Sequence, residues 1–490
     1  MMLTFEIWSF VSVIVLIATG ILTAITGLKR KHSRGAPLVA IAGIITASVF
    51  VILTIPDVWG GKILSFQMGG WIAPFGITIV VDMLTLVFSL LIVGIGLFAT
   101  VFSYKYIKNR RPEFYALICL MMAGLLGIVH TGDLFNLFVF FEISNVSSYA
   151  LVAYYRKRHA AEASIKFLIL GSLATSMILL GITLVYASIG TLNMADLVLK
   201  MPLATGFMIP IALVFMLTGF MFKAGIFPFH FWLPDAHPAA PSPISAMLSG
   251  VVISTGVYAV LRVGFIVFGA LSTMLTILMF FGIASMLIGA VFAILQNDLK
   301  RMLAYSSISQ VGYIVMSIGL GTSLGLVGGV FHIVNHAIIK SLLFLCAGVI
   351  IYHARTSDMA EIGKRIRFGP VLTYAFLIGV LALAGVPFLN GFASKWVIYL
   401  STFEFSVLLT IFTIVISVLT FAYGIRAFYL IFVSGDGAPE HKTPRSMLAP
   451  IIILAVICIL IGLLPQIGIA VSESMCSGLD PVVYAGAVLG

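Results

Sequence analysis

The chain has 490 residues, of which 61% are hydrophobic and only 9% charged, with a formal net charge of +10. A soluble domain carries about 25% charged residues, so these charges cannot cover a water-facing surface and most of the outside must face lipid. The positive balance is therefore read as basic cytoplasmic loops of a membrane protein, and a nucleic-acid surface is excluded.

Runs of about 20 apolar residues recur along the whole length, as spanning helices require. Fourteen spans are expected, with cores at 5–27, 37–55, 78–104, 114–130, 134–154, 165–188, 207–233, 243–268, 272–295, 302–320, 324–352, 370–401, 405–433 and 446–468. The first run (Trp8 to Ile25) lacks a basic flank and a small-residue cleavage site, so it reads as a retained helix and not as a signal peptide. The seventh, eleventh and twelfth are long or interrupted. Every second loop is basic: Lys29, Arg30, Lys31 and Arg34; Lys105, Lys108, Arg110 and Arg111; Arg156, Lys157 and Arg158; Lys300 and Arg301; Arg355, Lys364, Arg365 and Arg367; Lys442 and Arg445. Only the loop after the seventh span breaks the series. The alternate loops hold only Lys62 and Lys200. By the positive-inside rule the basic side is cytoplasmic, and both termini of this multi-pass cell-membrane protein face out.

Of the remaining basic residues, Lys166, Arg262 and Arg426 lie near span ends, where they can reach an interface by snorkelling. Lys223, Lys340 and Lys395 lie deep in apolar sequence. A charge at the centre of a bilayer helix costs roughly 2.5–3.5 kcal/mol, so such groups face the bundle interior, pair, or touch water, and mark ion or proton pathways. Glu142 is a lone carboxylate among aromatic residues, read as an acid stabilised by a nearby lysine. Lys223 precedes Ala224-Gly-Ile-Phe-Pro228-Phe-His230, where proline removes a backbone donor. A broken helix at membrane depth is tolerated only inside protein or beside a wet cavity, and a lysine buried there can shed its proton.

His332, His336 and Lys340 follow at i, i+4 and i+8, on one helix face, and cover about 12 Å along the axis. Histidines that titrate near neutrality leading to a lysine make a ladder for proton hopping. A metal site is not expected there, because no carboxylate stands near in sequence. Lys395 follows Ala384-Gly-Val-Pro387-Phe-Leu-Asn390-Gly391, a second Gly/Pro break. Its likeness to the first, five spans earlier, fits inverted repeats, in which broken helices at matching places mark the transport site. Cys119, Cys346, Cys458 and Cys476 stand singly, without the spacing of a cluster or zinc site. No phosphate loop, serine elbow or dinucleotide fingerprint is present, so no catalytic residue, cofactor or metal is expected in this chain, and energy must come from an ion gradient or from partner subunits.

Four stretches together carry a resemblance: Gly132-Asp-Leu-Phe-Asn-Leu-Phe-Val-Phe-Phe-Glu142, Phe222-Lys223 through Leu233-Pro-Asp-Ala-His237, Asn297-Asp-Leu-Lys300 through Gln310-Val-Gly-Tyr313, and His332 through Lys340. The sequence resembles the antiporter-like subunits of respiratory complex I and, most closely, the D-type subunits of Mrp sodium/proton antiporters. It is also similar to the matching subunits of archaeal membrane-bound hydrogenase and sulfane-reductase complexes. The resemblance implies an all-α membrane fold of about fourteen helices with two inverted five-helix repeats. The chain then divides into three N-terminal helices (1–110), a first repeat (111–268), a second repeat (269–433) and a last helix with its tail (434–490). It implies a Glu142–Lys223 pair in the first repeat, a half-channel closed by Lys395 in the second, and a wet axis through His332, His336 and Lys340 between them. Protons, or sodium and protons, would be moved in company with other membrane subunits.

Two departures stand out. Many relatives carry a lysine in the eighth span where this chain has Ser254, so Ser254, Tyr258 and His230 are expected as accessory members of the path. The chain also ends about twenty residues after its fourteenth span, so the long lateral helix of the largest members is not expected. A self-sufficient solute carrier and a passive membrane anchor of a redox enzyme are the rival readings. The first would need a midplane site rich in non-titrating polar groups, and the second leaves three buried lysines without a purpose.

Overall fold

The computed structural model of the chain describes residues 8–29, 35–204, 206–435, 437–439 and 442–490. Arg30, Lys31 and Arg34 of the first basic loop lie outside the described residues. Nearly all of the remainder is helix, the one open-chain structure that satisfies every backbone N–H and C=O without water. In chain order the principal helices are α1 (Trp8–Lys29), α2 (Gly35–Leu53), α3 (Met83–Tyr106), α4 (Arg111–His130), α5 (Leu134–Val152), α6 (Arg158–Ile189), α7 (Met208–Ala224), α8 (Trp232–Ala239), α9 (Ser242–Val267), α10 (Ser272–Ile294), α11 (Leu299–Gly319), α12 (Ser323–Ala354), α13 (Pro370–Ala384), α14 (Asn390–Phe405), α15 (Val407–Val433), α16 (Arg445–Leu463), α17 (Pro465–Ser477) and α18 (Pro481–Leu489). Among the described residues eleven helices are long and apolar enough to cross a bilayer: α1 to α6, α9, α10, α12, α15 and α16. Their outward faces stay apolar, with Leu173, Phe280 and Val418 exposed. α12 is buried almost end to end and forms the axis of the bundle.

The seventh and twelfth expected spans are each two pieces. α7 stops at Gly225 and α13 at Gly385, both in the left-handed region, with φ of 68° and 87°. Each stop closes with the same two hydrogen bonds. Gly225 N–H donates to Phe222 O and Ile226 N–H to Met221 O; Gly385 N–H donates to Ala382 O and Val386 N–H to Leu381 O. This is the Schellman closure, which glycine favours because it has no Cβ to clash. Proline follows at 228 and 387 and prevents the helix from resuming at once. The eleventh span, by contrast, is one uninterrupted 32-residue helix.

Loops after α3 and α5, the α8–α9 connection, the start of α11 and the end of α12 line one common cavity, so they share one end of the molecule. At the other end β1 (Leu64–Gln67) and β2 (Thr78–Val81) form an antiparallel hairpin, with Leu64 opposite Val81. Ile79 there bridges to Thr131, and Asp133 to Asn193. A second bridge of the same kind joins Asp298 and Asp358, and both bridges span sixty residues. In both, the residue after the aspartate donates across: Leu134 N–H to Leu192 O, Leu299 N–H to Ser357 O. Both aspartates also cap a helix, Asp133 accepting from Asn136 N–H and Asp298 from Arg301 N–H.

α10 and α11 lie against each other through glycines seven residues apart on each helix. An added Cβ would lie 2.4 Å from Met316 N at Gly282, 2.4 Å from Ser309 N at Gly289, 2.5 Å from Met286 N at Gly312 and 2.3 Å from Met279 N at Gly319. Small residues allow such backbone approach, which is how helices associate where lipid removes the hydrophobic drive. α11 is nearly all buried although it carries four serines, Gln310 and two tyrosines.

Candidate ion-translocation site

Lys223 sits in the last turn of α7, just before the break, and is 4% exposed. Its ammonium donates to Asn145 Oδ1 on α5, and Asn145 Nδ2 donates to Glu142 Oε1 at 3.4 Å. Phe141 and Phe222 flank the ammonium at 5.9 and 5.8 Å from their ring centres. The expected direct Glu142–Lys223 ion pair is thus corrected. The two groups are linked through Asn145, and Glu142 is half-buried, not enclosed. Glu142 and Asn145 lie three residues apart on one helix face, and the amide is the one that reaches inward. The α9 backbone backs onto this turn, since a Cβ at Gly256 would lie 2.4 Å from Ala224 N and 2.7 Å from Lys223 C. Beyond the break His230 is buried between Phe227 and Phe231, its Nδ1 without a partner among the described residues.

His332, His336 and Lys340 are all buried along α12. His332 bridges two neighbours, with Nδ1 2.8 Å from Ser394 Oγ on α14 and Nε2 3.1 Å from Gln310 Oε1 on α11. Neither ring nitrogen of His336 has a partner among the described residues. Lys340 donates to Ser306 Oγ and, at 3.2 Å, to Leu303 O, both on α11. His237, at the end of α8, stacks on Phe344 of α12 with ring centres 4.7 Å apart, and both its nitrogens are also unpartnered among the described residues.

Lys395 is fully buried near the start of α14. Its ammonium donates to Leu383 O at 2.9 Å, Ala384 O at 3.4 Å and Ser417 Oγ at 3.1 Å, and lies 4.8 Å from the centre of the Tyr313 ring. The last carbonyls of a helix lack partners within it and carry the negative end of its dipole. Breaking the span after Ala384 therefore creates the acceptors that hold Lys395. Asn335 on α12 and Asn390 tie the axis to this break, Asn335 Nδ2 donating to Asn390 O at 2.8 Å and Asn390 Nδ2 to Asn335 Oδ1 at 3.2 Å.

On α9, Ser254 is buried and its hydroxyl donates to Gly250 O of its own helix at 2.8 Å. The hydroxyl that reaches α11 is that of Ser249, 2.7 Å from Ser307 Oγ, within a π-helical stretch that shifts the side-chain phase (Leu248–Val252). Tyr258 donates to Val129 O at 2.6 Å and belongs to another cluster, where Arg262 Nε donates to its oxygen at 3.2 Å. Arg262 does not snorkel. It is 2% exposed and paired at both ends of its fork with Asp82, Nη1 to Oδ2 at 2.7 Å and Nη2 to Oδ1 at 2.8 Å. Lys166 and Arg426 do sit at the rim. Lys166 pairs with Glu162 and Asp235, and Arg426 caps the end of α10 through Ile294 O and Gln296 O.

Residues 131–420 match the family described as "NADH:quinone oxidoreductase/Mrp antiporter, TM". That stretch is more than half the chain and holds Glu142, Lys223, His332, His336, Lys340 and Lys395. The chain belongs to this family. It is 37% identical over 425 residues to the N subunit of the NADH-quinone oxidoreductase of Desulforudis audaxviator, spanning 81% of this chain and 84% of that protein. It is 32% identical over 473 residues to the D subunit of the Na(+)/H(+) antiporter of Alkalihalophilus pseudofirmus, spanning 92% of each. Among solved structures, a chain of the membrane-bound sulfane sulfur reductase, an archaeal respiratory membrane complex, superposes with a TM-score of 0.90 at 29% identity, over 97% of this chain and 99% of that one.

Proposed function

We propose that this chain is the ion-translocating, antiporter-like membrane subunit of a multisubunit complex, and that protons cross it along its buried lysines and histidines. The two curated relatives are named as subunits and the structural neighbour is part of a respiratory complex, so other membrane subunits are its partners. One observation carries the proton reading. Among the described residues Lys223, Lys340 and Lys395 are buried without a carboxylate in contact, held by neutral amide, hydroxyl and carbonyl oxygens. A permanent buried cation needs a counter-charge, as Arg262 has in Asp82. A lysine held by neutral oxygens can stay as a neutral amine or take a proton, which is what a relay requires.

The route in this reading starts at Glu142 and passes Asn145 to Lys223. It continues by way of His237 and the Ser249–Ser307 contact to Lys340, and then along His336 and His332 to Lys395. Three further crossings bring the eleven apolar ones to fourteen: the broken pairs α7–α8 and α13–α14, and the polar α11. Two inverted repeats, 111–268 and 269–433, are supported by the matching Schellman breaks and by the two sixty-residue bridges. The basic end is read as cytoplasmic, with both termini on the opposite face of the cell membrane.

The test replaces Lys223 and Lys395 singly by arginine and by alanine in the complex, reconstituted in vesicles loaded with a pH dye. Arginine keeps the charge and cannot shed its proton in a protein. All four variants are expected to lose proton movement by at least about tenfold. Normal transport by Lys223→Arg and Lys395→Arg would make both lysines fixed charges and remove the relay.

A further inference from the structure

The cavity shared by four of the basic loops has a volume of about 760 Å³, and its walls include Lys108, Arg110, Arg156, Lys157, Lys300 and Arg355 with no aspartate or glutamate among the described residues. None of the six makes an ion pair among the described residues. Three carboxylates of the same end are engaged elsewhere: Asp298 caps α11 and accepts from Ser357 Oγ, Asp235 pairs with Lys166 and Arg301, and Glu361 pairs with Arg365; Glu113, in the first turn of α4, is near Tyr154 of the wall but does not line it. Lys108 and Arg355 instead both lie against the ring of Tyr352, at 5.6 and 5.4 Å. Lys300 is enclosed and donates to Ala240 O at 2.6 Å; the other five like charges reach solvent around one cleft, repel one another and focus a positive field into it.

The backbone adds a second, independent observation. Five non-glycine residues among those described have positive φ, and three of them are arginines of this wall: Arg110 at 45°, Arg156 at 52° and Arg355 at 58°. Arg156 and Arg355 each end a helix in the left-handed conformation that glycine takes most easily there. The side chain is kept where the main chain would favour none, and in all three cases it is a guanidinium, whose planar fork matches phosphate oxygens.

We propose that this vestibule binds a phosphate-bearing anion, supplied by an acidic phospholipid of the adjoining leaflet or by free phosphate. Basic pockets between spanning helices at the cytoplasmic side take lipid headgroups of this kind, and the chemistry of the wall is the same for either source. The inference needs only the cavity and its charges and stands apart from the proton route.

The experiment uses the complex in phosphatidylcholine nanodiscs titrated with radiolabelled inorganic phosphate, and in parallel nanodiscs containing phosphatidylglycerol or cardiolipin, with retained lipids identified by native mass spectrometry. The double variant Arg156→Gly/Arg355→Gly removes two guanidiniums while easing the backbone, so it should fold at least as well as the parent. Lys364→Gln, a basic residue of the same end outside the cavity, is the control. The parent and Lys364→Gln are expected to bind, and the double variant to bind at least about tenfold more weakly with an unchanged or higher unfolding temperature. Phosphate binding in pure phosphatidylcholine assigns the free anion; a retained acidic lipid that phosphate does not displace assigns the headgroup. Binding of neither probe by the parent, or equal binding by the double variant, overturns the proposal and leaves these residues as orientation signals alone.

Discussion

Arg262 and Lys395 are both enclosed basic residues of the helix bundle, and the protein accommodates them by different means. Arg262 has a bidentate carboxylate, a tyrosine oxygen and the Gly478 carbonyl, a set that fixes its charge and pins α9 to the start of α3. Removing one member of such a pair strands the other and costs about 3–5 kcal/mol, whereas replacing both by apolar groups is often neutral. Arg262→Met and Asp82→Leu are therefore each expected to lower the thermal unfolding midpoint of the purified protein sharply, and the double variant to recover most of the loss. A double variant as unstable as the singles would show that the pair does more than neutralise itself. Charged residues can be picked out from sequence because a charge in an apolar run is improbable by chance. Asn145, Ser249, Gln310, Ser394 and Ser417 cannot, because an amide or hydroxyl is cheap in a span and its use depends on which helix it faces. Arg262 is misread from sequence for a related reason: its partner lies 180 residues away, and only the packed bundle brings the two together.

At the scale of elements, the breaks at Gly225 and Gly385 are written in the Gly and Pro pattern, and the structure adds what each break accomplishes. The second one exposes carbonyls to Lys395, and the first ends α7 directly under α9. That contact is tight enough to test. At Gly256 an added methyl meets backbone at 2.4 Å, which cannot yield as a side chain would, while at Gly94 it meets nothing within 4 Å. Overpacking of this kind costs about 1–3 kcal/mol. Gly256→Ala is expected to shift Lys223 and slow proton uptake in dye-loaded vesicles severalfold, with Gly94→Ala silent. Equal rates for both would mean that the position of Lys223 does not limit transport. The π-helical turn that brings Ser249 rather than Ser254 toward α11 is invisible in sequence, because it changes the phase of the helix without any proline or glycine signature specific to it.

For the whole molecule, the alternation of basic and neutral loops predicts the parity of the spans, and the fold gathers four of the six basic loops into one vestibule at one end. Orientation follows as a test: single cysteines in an otherwise cysteine-free protein should be labelled from outside intact cells at Ser474 and not at Lys364. The reverse pattern would invert the molecule in the membrane. Counting only unbroken helices that are long and strongly apolar, however, stops at eleven among the described residues. α11 escapes it because it touches almost no lipid, and so its serines, glutamine and tyrosines face other helices. The same freedom constrains how the protein is made. A segment beginning Leu299-Lys300-Arg301 and carrying four serines and a glutamine gains less from hydrocarbon than its apolar neighbours do. Its insertion is expected to be helped by α10, whose glycines meet its own at every second turn. The hairpin is then the expected unit of insertion, since the order of synthesis, α10 before α11, delivers the more apolar partner first.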